Sequence, residues 1–84
     1  MGLSRAAFGR QFRALTGEAP RVYVSRTRME HAARLLRETD ATVADVGTRV
    51  AYSPEYAFNR AFCRYHGISP GRYRHRARST AELA

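Results

Sequence analysis

Residues 42–73 read TVADVGTRVAYSPEYAFNRAFCRYHGISPGRY, and this stretch decides the fold. Thr42 can cap a helix N-terminus, and Asp45, three residues on, completes a capping box. Val43, Val46 and Val50 follow at helical spacing, and Tyr52 closes the apolar set. Ser53-Pro54 is expected to restart a helix, with Ser53 as N-cap and Pro54 at the first helical position. Tyr56 or Ala57, then Phe58, Ala61, Phe62 and Tyr65, carry its apolar stripe. Gly67 ends it in the left-handed conformation that glycine tolerates. Two short amphipathic helices joined by a tight turn make a helix-turn-helix, whose second helix is the one presented to DNA.

The flanking sequence extends this all-α pattern. Ser4 can cap a helix over about Arg5 to Leu15, with Phe8, Phe12 and Leu15 on one face. Thr16-Gly17 ends it. Pro20 opens a long helix to about Arg37, with Val24, Met29, Ala32, Ala33 and Leu36 in a broad stripe. Ser69-Pro70 starts a last short helix through Tyr73, and the end of the tail, Arg74 to Ala84, is expected to fray. Met1 to Leu3 are too few to fold alone. No strand pattern occurs.

The chain also repeats itself. Residues 7–23, AFGRQFRALTGEAPRVY, align without gaps on residues 57–73, AFNRAFCRYHGISPGRY. Ala7/Ala57, Phe8/Phe58, Arg10/Arg60, Phe12/Phe62, Gly17/Gly67, Pro20/Pro70 and Tyr23/Tyr73 are identical. Each has a structural use: two core aromatics four apart, a helix stop, a helix-opening proline and a tyrosine at the junction. The same supersecondary unit therefore occurs twice. The counterpart of the Val43–Val50 helix would precede residue 1, so the first unit is expected to hold a recognition helix without its supporting helix. The expected organisation is a partial first unit over 1–19, a linker helix over 20–38, a complete second unit with a terminal helix over 39–76, and a tail over 77–84.

Composition narrows the function. The net charge is +8, and all fifteen basic residues are arginine. Planar, bidentate guanidinium groups suit phosphate and guanine, so a polyanionic partner is expected, nucleic acid before membrane. Cys63 is the one cysteine, which excludes an intrachain disulfide and points to the cytoplasm. No apolar run approaches the roughly 20 residues of a membrane span. The acids are scattered as salt-bridge partners, with no nucleophile–base–acid set, so no enzyme is expected. Cys63 and His66 on one helix do not make a zinc site, and neither a metal nor a cofactor is expected.

The C-terminal pattern of Tyr52, Ala57-Phe58, Arg60, Phe62, Arg64, Gly67, Ser69-Pro70 and Tyr73-Arg74 resembles the signature of the AraC/XylS family of bacterial transcription regulators. The long helix adds Arg28-Met29, Ala32 and Leu35-Leu36. The resemblance covers about Leu3 to Arg74. It implies two helix-turn-helix units whose recognition helices enter successive major grooves, with the first two helices of the family's seven absent here. A linker of about 18 residues spans roughly 27 Å, a fitting spacer for grooves about 34 Å apart. Double-stranded DNA is then the expected partner, with RNA polymerase a further candidate and no effector site in this chain. Three positions depart from the family pattern and are expected to weaken the fold: Ala51 where glycine usually turns the chain, Gly47 in place of alanine inside a helix, and Ala19 in place of a capping serine.

Candidate base contacts are Arg10, Glu55, Tyr56, Asn59 and Arg60. Asn59 could read adenine, Arg60 guanine, and Glu55 cytosine. Candidate phosphate contacts are Arg5, Arg13, Ser53, Arg64, Arg72 and Arg74. Phe8, Phe12, Phe58 and Phe62 could stack bases, but their i,i+4 spacing points to the core. Tyr23 and Tyr73 are expected to pack the junctions. The reading is a sequence-specific DNA-binding domain; the alternative is a remnant or interaction fragment with weak, non-specific DNA binding.

Overall fold

The computed structural model describes residues 4–83; the expectation for Met1 to Leu3 lies outside them. Five α-helices follow in order: α1 (Arg5–Thr16), α2 (Pro20–Glu38), α3 (Val43–Arg49), α4 (Glu55–His66) and α5 (Pro70–Leu83). There is no strand among the described residues. The molecule is elongated, 51 × 29 × 21 Å, with a radius of gyration of 15.6 Å, against about 12 Å for a compact chain of this length.

The helix ends follow the local chemistry. The Ala7 amide donates to Ser4 Oγ at 3.1 Å, and the Asp45 amide to Thr42 Oγ1 at 3.1 Å. Gly17 and Gly67 close α1 and α4 at φ 83° and 79°, and each amide bonds back to the carbonyl four residues earlier. Ala19 provides no side-chain cap for α2, whereas Ser69 Oγ, fifty residues on, accepts from the Arg72 amide at 3.3 Å. Ser53 does not cap α4. Pro54 holds an extended backbone, and its own carbonyl accepts from the amides of Ala57 and Phe58, so the helix begins one residue later, at Glu55.

The core is a single cluster from three helices, α2, α3 and α4, with Val50 at the end of α3. Met29, Ala32, Ala33 and Leu36 of α2 pack with Val46, Val50, Phe58 and Phe62, all at most 3% exposed. Gly47 faces this cluster: a Cβ built on it would lie 2.9 Å from both Cβ and Cγ of Phe58. The expected cost of a helical glycine is therefore set against a close α3–α4 approach that a larger residue would obstruct. Ala51, in the turn to α4, adopts φ 66°, the left-handed conformation that is costly for alanine. The tight turn is held by the Tyr52 amide on the Gly47 carbonyl at 2.8 Å.

The repeat reappears as geometry. Phe12 meets Tyr23 edge-on at 5.2 Å and 75°; Phe62 meets Tyr73 edge-on at 5.4 Å and 72°. Phe8–Phe12 and Phe58–Phe62 centroids lie 5.8 and 5.7 Å apart. Burial differs sharply. Phe58 is fully buried while Phe8 is 51% exposed, and α1 contains no buried residue. Leu15, Tyr23 and Val24 are exposed as well, against the expected continuous stripe, because α3 covers the second unit's aromatics and no described helix packs in the same way on the first.

The last helix, expected to end at Tyr73, instead runs to Leu83. Two arginines one turn apart explain it. Arg74 donates from Nε to the Leu36 carbonyl at 3.0 Å and from a terminal nitrogen to the Thr39 carbonyl at 3.2 Å. Arg78 pairs with Asp40 at 2.6 Å. These bonds satisfy carbonyls left open at the end of α2 and fasten α5 across it.

Candidate nucleic-acid interface

Helix α4 is fixed from behind by Phe58 and Phe62, so its remaining face is presented outward. Glu55, Tyr56 and Arg60 are exposed and Asn59 is half-buried; Tyr56 reaches 62% exposure. Tyr52, Tyr56, Ala57, Arg60, Ala61 and Arg64 line a shallow groove of about 300 Å³. The structure thus gathers Tyr56, Arg60 and Arg64 on one surface, with Tyr52, read from sequence only as an apolar closure, at its edge. Glu55 lies in the first turn, where its carboxylate also complements the helix dipole. Ser53 is exposed just before that turn.

On α1, Arg5, Ala6, Gly9, Arg10 and Arg13 line a groove of about 310 Å³ with Ala19 and Pro20. At the offset of fifty, Ala6 and Arg10 match Tyr56 and Arg60 of the α4 groove. The two grooves share these two repeat positions, and α4 carries Tyr56 and Asn59 where α1 carries Ala6 and Gly9.

A third groove, of about 290 Å³, joins Cys63, Gly67, Ile68, Ser69, Arg72 and Arg76. Arg76 was not among the expected contacts. It joins Arg72 because α5 continues past Tyr73, and their i,i+4 spacing was the signal for it. Arg74 differs from the phosphate role expected of it: its guanidinium turns inward onto the end of α2.

The charges are sorted. Ion pairs join Arg26 to Glu18 and Glu30, Arg34 to Glu38 and Arg78 to Asp40. Among the described residues none involves Arg5, Arg10, Arg13, Arg60, Arg64, Arg72 or Arg76. The acids that form ion pairs, Glu18, Glu30, Glu38 and Asp40, lie on α2 and the connections at its two ends, and the guanidinium groups lining the grooves are in none of these pairs. Of the tyrosines, Tyr73 packs its junction and accepts from Arg37 at 2.6 Å. His66 donates from Nε2 to the Met29 carbonyl at 3.0 Å, tying α4 to α2. No group of three or more potential metal ligands occurs among the described residues, nor does any helix long and apolar enough to cross a membrane.

Comparison with known proteins agrees with this architecture. A helix-turn-helix domain family matches residues 1–76. An AraC-like transcription regulator of Streptomyces lividans is 43% identical over 72 residues, which are 86% of this chain and 24% of that protein. The MmsAB operon regulatory protein of Pseudomonas aeruginosa is 38% identical over 76 residues, 90% of this chain and 25% of that protein. The chain thus spans about a quarter of the length of these curated relatives. Among solved structures, the DNA-binding domain of AdpA, a global transcriptional factor, in complex with a target DNA superposes with a TM-score of 0.90 at 35% identity. The match covers 98% of this chain and 74% of that one. With its paired units, linking helix and exposed recognition faces, the chain belongs to the AraC family of helix-turn-helix transcription regulators.

Proposed function

We propose that this chain binds double-stranded DNA sequence-specifically as the DNA-binding domain of a bacterial transcription regulator. The observation that carries the reading is the sorting of charge: the exposed arginines of the α1, α4 and α5 grooves have no acidic partner among the described residues, in a domain of net charge +8. Free guanidinium groups beside an exposed helix N-terminal half suit a major groove. On this reading Tyr56, Asn59, Arg60 and Glu55 of α4 read base edges, and Arg10 does so from α1. Arg5, Arg13, Arg64 and Arg72, with Ser53, hold phosphates, and Arg74 serves the fold. The similarity to the AdpA domain, solved on a target DNA, supports this use. RNA polymerase is the further candidate partner of such a regulator, and the cytoplasm is where both would be met.

A second reading, weak binding without sequence preference, is favoured by one feature: α1 buries no residue of its own. Selection from a random duplex pool, repeated across salt concentrations, separates the two. Sequence-specific binding enriches a motif that survives added salt. Uniform retention that vanishes with salt supports the second reading.

A further inference from the structure

Arg26 lies on α2 between the two DNA-facing units, bonded directly to the connection after α1 and linked to α4 through Glu30. Its Nε and a terminal nitrogen donate to Glu18 Oε1, at 3.2 and 2.6 Å, in the connection that follows α1. The guanidinium carbon stands 5.2 Å from the centre of the Tyr23 ring, and Tyr23 is the ring that Phe12 of α1 meets edge-on. Its other terminal nitrogen donates to Glu30 Oε1 at 3.3 Å. The same oxygen accepts from the Tyr65 hydroxyl of α4, also at 3.3 Å.

We infer that Arg26 is a positioning residue that sets α1 relative to α4, and so fixes the spacing of the two half-sites that the domain accepts. The inference rests on the proposed function. Helix α1 has no buried residue to set its orientation, so polar and aromatic contacts at its C-terminal end bear on that orientation directly. The chemistry of the node suits such a role, because a planar cation can hold a carboxylate in its plane and an aromatic ring across its face. Hydrogen bonds to Glu18 and then to Glu30 favour the charged guanidinium further, and partial burial followed by the Glu30 charge pushes the Tyr65 phenol above its ordinary value. The second unit has no equivalent, because Ile68 stands where Glu18 would repeat. Both junctions share the edge-on aromatic pair, and the first adds this node.

The test is a spacing scan. The two half-sites selected by the wild-type chain are separated by zero, one, two or three additional base pairs, and binding is measured for wild type, Arg26→Gln, Arg26→Lys and Glu18→Gln. Arg34→Gln, which breaks an exposed ion pair on the same helix, is the control. Wild type and control should lose about tenfold or more with two additional base pairs. Arg26→Gln and Glu18→Gln should bind the selected spacing up to about fivefold more weakly, the scale of a modest ion pair, and should discriminate poorly among spacings. Arg26→Lys, which keeps the charge without the planar fork, should fall between. Binding to the α4 half-site alone should not change. Full spacing discrimination in Arg26→Gln overturns the inference and leaves the proposed function standing; a wild type that selects no bipartite site overturns both.

Discussion

Gly47 and Phe58 approach so closely that a Cβ on the glycine would sit 2.9 Å from the phenylalanine Cβ. The contact joins the supporting helix to the recognition helix at the base of the second unit. Gly47→Ala gains up to about 1 kcal/mol of helix propensity. It must also displace the root of a fully buried ring, and overpacking of this kind costs about 1–3 kcal/mol. The expected outcome is a net loss of about 1 kcal/mol, from the difference of these terms, and a lower Tm in thermal unfolding. A raised Tm would show that α3 and α4 separate at little cost.

Ala51 is held at φ 66°, where an L side chain costs about 1–2 kcal/mol. Ala51→Gly removes that cost and gives back about 0.4–1 kcal/mol through the freer unfolded chain. Denaturant unfolding should show a gain of roughly 0.5–1 kcal/mol, from the difference of these terms, with an unchanged m-value. A loss of stability would mean that the turn does not hold this backbone in solution.

Arg74→Ala leaves the carbonyls of Leu36 and Thr39 without their partner and loosens α5 from the end of α2. Loss of such bonds costs about 1–3 kcal/mol. Amide exchange should quicken along α5, and the salt slope of DNA binding should stay as in the wild type. A slope reduced by about one, with stability intact, would return Arg74 to the phosphates.

Much of the fold was legible in the chain, and the exceptions have physical causes. The glycine stops, the Ser4 and Thr42 caps and the Phe58–Phe62 core follow from residue type and spacing, and the five helices lie near where periodicity put them. Ser53-Pro54 misled because a serine before a proline marks a helix start, yet Pro54 keeps an extended backbone and takes the cap position itself. The length of α5 was hidden because it depends on Arg74 and Arg78 reaching residues 35 to 39 positions away. Periodicity carries no such information. Exposure of Phe8 and Val24 follows from the repeat, whose first copy was expected to lack a supporting helix; that of Leu15 was hidden, since a stripe predicts a buried face but burial needs a covering element. On the interface, Arg60 and Tyr56 were visible as outward positions of a helix whose inner face was already assigned. Arg26 was not, since its partner Glu18 lies outside the helix and its role depends on Tyr23 and Tyr65 at once.

On the proposed function, the N-terminal half of α4 reads bases. Selection from a random duplex pool with wild type and Arg60→Ala tests it most directly. Preference should vanish at one base pair of the selected site, with a cost of about 1–3 kcal/mol for that sequence and other positions unchanged. An equal loss of affinity for every duplex, with the selected motif intact, would contradict the claim and make Arg60 a phosphate contact.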